Sequence, residues 1–332
     1  MIKIQNLVKN YGGIQAVKNI SFTVEEGEIV GFLGPNGAGK STTMNIVTGC
    51  LAATSGTVCI CGHDIYEEPI AAKRCIGYLP EIPPLYTDMT PLEFLTFVAE
   101  AKGVGYEETG RQVREVMELT QIEDMKDRLI KNLSKGYRQR VGIAQAMLGN
   151  PDIIILDEPT VGLDPKQIIE IRDLIRMLGE HKTVILSSHI LAEISAVCDR
   201  VLIISHGKLV ADDTIEHLES SVANSNRLRL AVRGNAEDIS DVLSSIDGIT
   251  DCQQISDEDG VFTVSLTVTK ERDLRDDIFF AMAERRIPVL TMETEELDLE
   301  DIFLTLTGNR NADEEEASDE DEEIDETEEE DV

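Results

Sequence analysis

The chain has 332 residues, 42% of them hydrophobic, enough for one large domain and a smaller one with a sizeable core. No window approaches the roughly 18 consecutive apolar residues of a spanning helix, and Met1-Ile2-Lys3-Ile4-Gln5-Asn6 lacks the apolar core of a signal peptide, so a cytoplasmic protein is expected. The formal charge is −34; residues 311–332 hold 15 Asp and Glu with no Lys or Arg, and the remaining 49 acidic against 30 basic residues disfavour a nucleic-acid partner.

From residue 1 to about 218, β-branched runs alternate with helical periodicity, the pattern of an α/β domain with helices on a largely parallel sheet. Its clearest strands are Ile29–Leu33, Ile153–Leu156, Val184–Ser187 and Val201–Ile204. Ligands collect beyond the carboxyl ends of such strands, so the chemistry is expected there.

After the first strand, Gly34-Pro35-Asn36-Gly37-Ala38-Gly39-Lys40-Ser41 fits a phosphate-binding loop between a strand and a helix. Its glycines let backbone N–H groups close around phosphates, Lys40 supplies a point charge, and Ser41 offers a hydroxyl to magnesium. The helix opened by Ser41-Thr42, with Met44, Val47 and Leu51 on one face, aims its positive end at the same anion. Next, Cys59, Cys61 and His63 alternate along an apparent strand; without a second ligand pair at suitable spacing they read as structural residues. The six cysteines (50, 59, 61, 75, 198 and 252) lack the pattern of a disulfide framework, and His63, His181, His206 and His217 carry no motif.

Between about 81 and 150 helical spacing takes over, with Leu92, Leu95, Val98 and Ala99, then Val113, Val116, Met117 and Thr120, marking an inserted helical subdomain. Ser134 opens an amphipathic helix with Val141, Ala144 and Leu148 on one side, so its N-terminus and Gly136 form an anion-binding end. The apolar run Ile153-Ile154-Ile155-Leu156 ends in Asp157-Glu158, two carboxylates that are costly at a buried strand end unless a cation or hydrogen bonds receive them. Asp157 suits magnesium and Glu158 suits orienting or deprotonating an attacking water.

Residues 219–308 form a second unit. Strand Arg227–Val232, helix Ala236–Ser245, strand Thr250–Ser256, strand Val261–Val268, helix Glu271–Arg285 and strand Val289–Glu293 give a βαββαβ order. That order predicts a small α+β, ferredoxin-like domain, with a final helix around Leu299–Leu306. The acidic residues of 309–332 cannot bury apolar surface and read as a disordered tail.

Leu133-Ser134-Lys135-Gly136-Tyr137-Arg138-Gln139-Arg140, about 20 residues before Asp157, resembles the signature sequence of ATP-binding cassette (ABC) ATPases. Val161-Gly162-Leu163-Asp164-Pro165 is similar to that family's intersubunit loop, Ser187-Ser188-His189 to its switch histidine, and Tyr11, 23 residues before Gly34, to its adenine-stacking aromatic. The resemblance covers residues 1 to about 215 and implies an ABC ATPase core that binds ATP and Mg2+. It implies catalytic roles for Glu158 and His189; nucleotide contacts from Tyr11, Gly34–Thr42, Asp157, Ser134, Lys135, Gly136 and Asp164; and magnesium held by Ser41, Glu81 and Asp157. It further implies a homodimer in which each signature closes on the γ-phosphate held by the other subunit.

Two departures stand out. Glu81 occupies a place where many members carry glutamine, and Lys135 and Tyr137 replace glycine and glutamine in the signature. Similar substitutions occur in cassettes serving type-2 export permeases, so the implied role is an export ATPase on the inner face of the membrane, docked to a separate permease through Ile82-Pro83-Pro84-Leu85-Tyr86. A non-transport ABC ATPase working on nucleic acid or ribosomes is the alternative, disfavoured by the single cassette and the acidic balance; a phosphate-loop kinase would have no use for the signature.

Overall fold

The computed structural model describes residues 1–222, 226–258, 260–268 and 273–295, and the chain divides into two compact units at Ile215/Glu216. The elements of the first unit are, in chain order, β1 Ile2–Tyr11, β2 Ile14–Val24, β3 Ile29–Leu33, α1 Lys40–Val47, β4 Ser55–Ile60, β5 His63–Asp64, α2 Pro69–Arg74, β6 Ile76–Leu79, α3 Pro91–Ala101, α4 Tyr106–Leu119, α5 Lys135–Met147, β7 Ile153–Asp157, α6 Pro165–Gly179, β8 Thr183–Ser188, α7 Leu191–Ser195, β9 Arg200–Ser205 and β10 Lys208–Thr214. α8, Ile215–Val222, follows.

Two sheets form the body of this unit. One is antiparallel, in the order β2-β1-β4-β5; the other has six strands in the order β10-β9-β3-β8-β7-β6, parallel except at β10. Every residue of β3, β7 and β8 is buried, as expected of parallel strands covered on both faces, which is why Ile29–Leu33, Ile153–Leu156 and Val184–Leu186 read as apolar runs. A single core joins Ile2, Ile4, Phe22 and Ile60 of the antiparallel sheet to Phe32, Ile153, Ile155 and Leu202 of the parallel one. Fully burying each such side chain contributes about 1.5–3 kcal/mol, enough to hold the strand ends in register.

The helices α3, α4 and α5 pack around Phe94, Leu95, Ala99, Val113, Val116, Met117, Val141 and Ala144. Thr90 caps α3 with a capping box to Glu93, and Ser134 caps α5 by accepting from the Tyr137 N–H at 3.4 Å. At the other end of α5, the Lys102 ammonium donates to the carbonyls of Gln145, Ala146 and Leu148 at 2.8–3.3 Å, satisfying groups the helix leaves open.

Three sequence expectations change here. α1 ends at Val47, because Thr48 and Gly49 close it, so Leu51 lies beyond the helix. Leu92 is exposed, the buried face of α3 being Pro91, Phe94, Leu95 and Ala99. Cys59, Cys61 and His63 do not share a strand: Cys61 (φ +51°) and Gly62 (φ +87°) make the turn of a hairpin that pairs Ile60 with His63.

The second unit contains β11 Asn226–Arg233, α9 Ala236–Ser244, β12 Ile249–Glu258, β13 Val261–Val268, α10 Arg275–Glu284 and β14 Val289–Glu295. The strands form an antiparallel sheet in the order β12-β13-β11-β14. Alternate residues Leu228, Leu230 and Val232, and Val264, Leu266 and Val268, share a core with Ile239, Val242 and Leu243 of α9 and with Ile278 and Met282 of α10, so both helices cover one face. α10 begins at Arg275, later than the helix expected from Glu271. The final helix at Leu299–Leu306 and the acidic tail lie outside the described residues.

Candidate active site

Strand order assembles the site. β8 lies between β3 and β7, with Leu33 beside Ser188 and Asp157 beside Ser187. The residues leaving the carboxyl ends of these three strands therefore emerge side by side: Gly34–Lys40, Glu158 and His189. β6 pairs Leu79 with Leu156 on the far side of β7, which brings Glu81 to the same edge. A cleft of ≈ 410 Å³ opens there, lined by Ala16, Asn36, Gly37, Gly39, Lys40, Ser41, Thr42, Glu81, Glu158, Val161 and His189.

The loop before α1 is packed too tightly for side chains at two of its glycines. A Cβ at Gly34 would lie 2.4 Å from the Ile204 carbonyl oxygen. Gly39, at φ +105°, is the N-cap of α1, and a Cβ there would lie 2.6 Å from the Ala16 carbonyl oxygen. α1 offers no side-chain cap for its first N–H groups and carries no acidic residue in its first turn, so the helix start keeps its affinity for an anion.

Lys40 is 6% exposed. Its ammonium donates to the Gly34 carbonyl at 2.8 Å and the Pro35 carbonyl at 3.2 Å and lies 3.4 Å from a Glu158 oxygen. The other Glu158 oxygen sits 2.9 Å from Nδ1 of His189. Lysine, carboxylate and imidazole thus form a row across the cleft. Glu158 is itself 6% exposed and sits at φ +49°, a left-handed conformation unusual for a residue with a side chain. Such a backbone persists only where its surroundings impose it; here the Glu158 N–H donates to Ser187 Oγ at 3.0 Å.

Asp157 is also buried. Burial pushes its carboxyl above the ordinary value; hydrogen bonds from Ser187 and Ser41 pull the other way, and the charges of Glu158 and Glu81 add to the rise. Nearby, burial first and then the Asp157 charge push the Tyr78 phenol above its usual range. Three carboxylates and a serine hydroxyl therefore converge with one lysine to offset them. Hard oxygen donors carrying excess negative charge fit Mg2+ rather than a soft ion.

The remaining expected site residues lie elsewhere. Gly136 and Asp164 line a second recess of ≈ 290 Å³ with Gln121, Tyr137, Arg140, Lys166, Gln167 and Glu170. Ser134 and Lys135 start the helix that carries Gly136. Asp164 caps α6, its Oδ1 accepting from the Gln167 N–H at 2.9 Å. Tyr11, at the end of β1, is 48% exposed and does not line the cleft; the Lys9 ammonium sits 5.1 Å from its ring centroid.

Sequence reading missed a buried support layer. Glu193 accepts from the Ser188 hydroxyl at 3.1 Å and from the Thr160 hydroxyl at 2.5 Å, tying the segment after Glu158 to the segment before His189. Its only sequence signal is a carboxylate among the buried positions Leu191 and Ile194 of α7.

Known proteins resemble this chain in sequence and in fold. Residues 17–161 match the family described as "ABC transporter". The chain is 34% identical to the bacitracin transport ATP-binding protein BcrA of Bacillus licheniformis, over 93% of this chain and 97% of that protein. It is 31% identical to the linearmycin resistance ATP-binding protein LnrL of Bacillus subtilis (strain 168), over 93% and 98% respectively. Among solved structures, the dimeric post-hydrolysis form of the ATP-binding cassette MJ0796, bound to ADP and Pi, superposes with a TM-score of 0.59 and 29% identity, covering 65% of this chain and 99% of that one. A phosphate loop opposed by paired carboxylates and a histidine, on a chain related along nearly its whole length to such proteins, makes this chain a member of the ABC transporter family, the ATP-hydrolysing subunit of a transporter.

Proposed function

We propose that this chain powers export through a separate integral membrane permease, by closing and opening as a homodimer around ATP. The observation that carries the proposal is the row Lys40, Glu158, His189 beside Ser41, Asp157 and Glu81 in one cleft. ATP places its β- and γ-phosphates over the Gly34–Thr42 loop, drawing Lys40 from the two carbonyls it holds. Glu158 accepts a proton from a water that attacks the γ-phosphorus; the new P–O bond forms as the bond to the β-phosphate oxygen breaks, leaving ADP and phosphate. His189, held by Glu158, orients toward the γ-phosphate. Ser41, Asp157 and Glu81 would hold Mg2+, which neutralises charge on the β- and γ-oxygens when bound. Tyr11, exposed at the end of β1, is available to stack on adenine.

Ser134, Lys135, Gly136 and Asp164 lie at a separate recess, which supports a site completed by the signature of a second copy. The dimeric MJ0796 cassette supports the same reading. Relatives named for bacitracin transport and linearmycin resistance support the export reading, with the chain working at the cytoplasmic face of the membrane. The second unit, through its βαββαβ order and sheet order, reads as a ferredoxin-like accessory domain. Domain limits of 1–218, 219–308 and 309–332 remain our assignment of the chain. Among the described residues no helix is long and apolar enough to cross a membrane.

The permease surface is assigned to Ile82-Pro83-Pro84-Leu85-Tyr86. Ile82 is 82% exposed and Tyr86 53%; the Tyr86 ring rests on Phe94 and Phe97 at 5.9 and 5.5 Å, and Leu85 packs against the helical core. An anchored aromatic beside an exposed isoleucine suits a partner helix, where a few residues carry most of the affinity. Replacing Leu85 and Tyr86 with Asp is expected to release the chain from membranes containing its permease and to abolish transport while ATP binding persists. Membrane fractionation checks this, and a double variant that stays bound and transports places the contact elsewhere.

A further inference from the structure

The hairpin turn that breaks up the Cys59, Cys61, His63 pattern brings Cys61 to two residues the sequence keeps far away. The ligand atoms of Cys61, Cys75 and Asp152 all lie within 4.8 Å of one another. Cys59 and His63 take no part: Cys59 pairs with Lys3 and Asp64 in the sheet, and His63 Nδ1 is 3.1 Å from Glu68.

Each of the three positions is fixed by backbone. The Cys61 N–H donates to the Met1 carbonyl at 2.9 Å; the Cys75 carbonyl, at the C-cap of α2, accepts from the Ile153 N–H at 3.0 Å; the Asp152 carbonyl accepts from the Thr183 N–H at 3.1 Å. Both thiols are half-buried and the carboxylate is exposed. The cluster sits at the amino end of β7, and Asp157 ends the same strand about 17 Å away at roughly 3.3 Å per residue, so the cluster is separate from the ATP cleft.

We propose that Cys61, Cys75 and Asp152 form a binding site for a zinc-class divalent cation, with two thiolate sulfurs, one carboxylate oxygen and a fourth position open to water. Thiolate and carboxylate bonds of about 2.3 and 2.0–2.2 Å to zinc need only side-chain rotation to close around one ion from this spacing. Binding displaces one proton from each thiol to solvent, and no electron moves. Burial, then the hydrogen bond with Cys75, pushes the Cys61 thiol up to about 12. The nearby Lys182 ammonium is pushed below its ordinary value by burial, with the Asp152 charge pulling the other way, and it donates to Asn150 at 2.7 Å. A bound ion would tie the β4–β5 turn, the end of α2 and the start of β7 together.

The test is a Co2+ titration of the full chain, reduced with a phosphine and freed of metal by chelation, followed by absorbance and by displacement with Zn2+. One equivalent should bind with a sulfur-to-cobalt charge-transfer band that Zn2+ abolishes. The band should disappear in Cys61→Ser and in Cys75→Ser and persist in Cys50→Ser and Cys59→Ser. Asp152→Asn, at an exposed position, keeps the test open if the cysteine variants misfold; it should weaken Co2+ by about tenfold or more, the loss that even an outer-shell change typically brings. Absence of the band in the wild type, its survival in the Cys61→Ser/Cys75→Ser double variant, or isolation of the pair as a disulfide from the reduced cytoplasm overturns the proposal.

Discussion

Glu158→Gln should lower the rate of phosphate release by about 10²–10⁴-fold, the usual contribution of a positioned general base, while ATP binding is kept. The geometry separates the two effects. Glutamine matches glutamate in shape, so one amide atom can still meet His189 Nδ1 and the other can stay near Lys40. What is lost is the proton acceptor. What is gained is a freer Lys40, because the buried carboxylate that holds it at 3.4 Å becomes neutral, so nucleotide affinity should hold or rise. The variant takes from the buried Lys40 its carboxylate partner, so some stability should be lost, but the ammonium keeps the Gly34 and Pro35 carbonyls and the chain should remain folded. Single-turnover hydrolysis beside equilibrium nucleotide binding checks both halves. Wild-type turnover by the variant would assign the base to another group.

Lys40→Ala is expected to behave in the opposite way. Its ammonium is the one Lys or Arg charge among the described residues lining the cleft, facing Glu158 with Asp157 and Glu81 close by. Removing it takes away a charge-assisted contact to the ground-state phosphates, worth about 1.5–3 kcal/mol, and so should weaken ATP binding by about 10- to 100-fold. Glu158 would then face His189 alone, and the uncompensated carboxylate should lower the stability of the ATP-free chain as well. Fluorescent nucleotide titration and urea unfolding measure the two losses. Unchanged affinity with reduced turnover alone would mean that Lys40 acts only in the transition state.

The parts of this site that were legible in the sequence are those in which chemistry and contiguity coincide. Gly34–Ser41 and Asp157-Glu158 are unbroken runs at strand ends, and a buried parallel strand announces itself by being apolar throughout. Strand boundaries were read to within a residue for the same reason: Ile29–Leu33 coincides with β3, and Val201–Ile204 falls inside β9. What could not be read are meetings between distant single residues. Ser187 bonding to Asp157, Glu193 bridging Thr160 and Ser188, and Cys61 meeting Cys75 and Asp152 all depend on strand order or on a turn. No periodicity encodes them. The Cys59-Cys61-His63 pattern misled because alternation looks the same whether a strand continues or folds back, and only the left-handed Cys61-Gly62 pair decides. Leu92 misled because its spacing suits a helix whose buried face turns one position earlier, to Pro91 and Phe94.

The most direct test of the central claim, that ATP is hydrolysed between two copies of this chain, is the mass of the Glu158→Gln protein measured by light scattering with and without ATP. The phosphate loop and the signature recess are separate on one copy, so the chain should be monomeric without nucleotide and double its mass of 36.7 kDa when ATP is added. That doubling should fail in a Glu158→Gln/Ser134→Arg variant, whose arginine obstructs the start of α5. A Glu158→Gln chain that binds ATP, cannot hydrolyse it and yet keeps the mass of one copy would contradict the account.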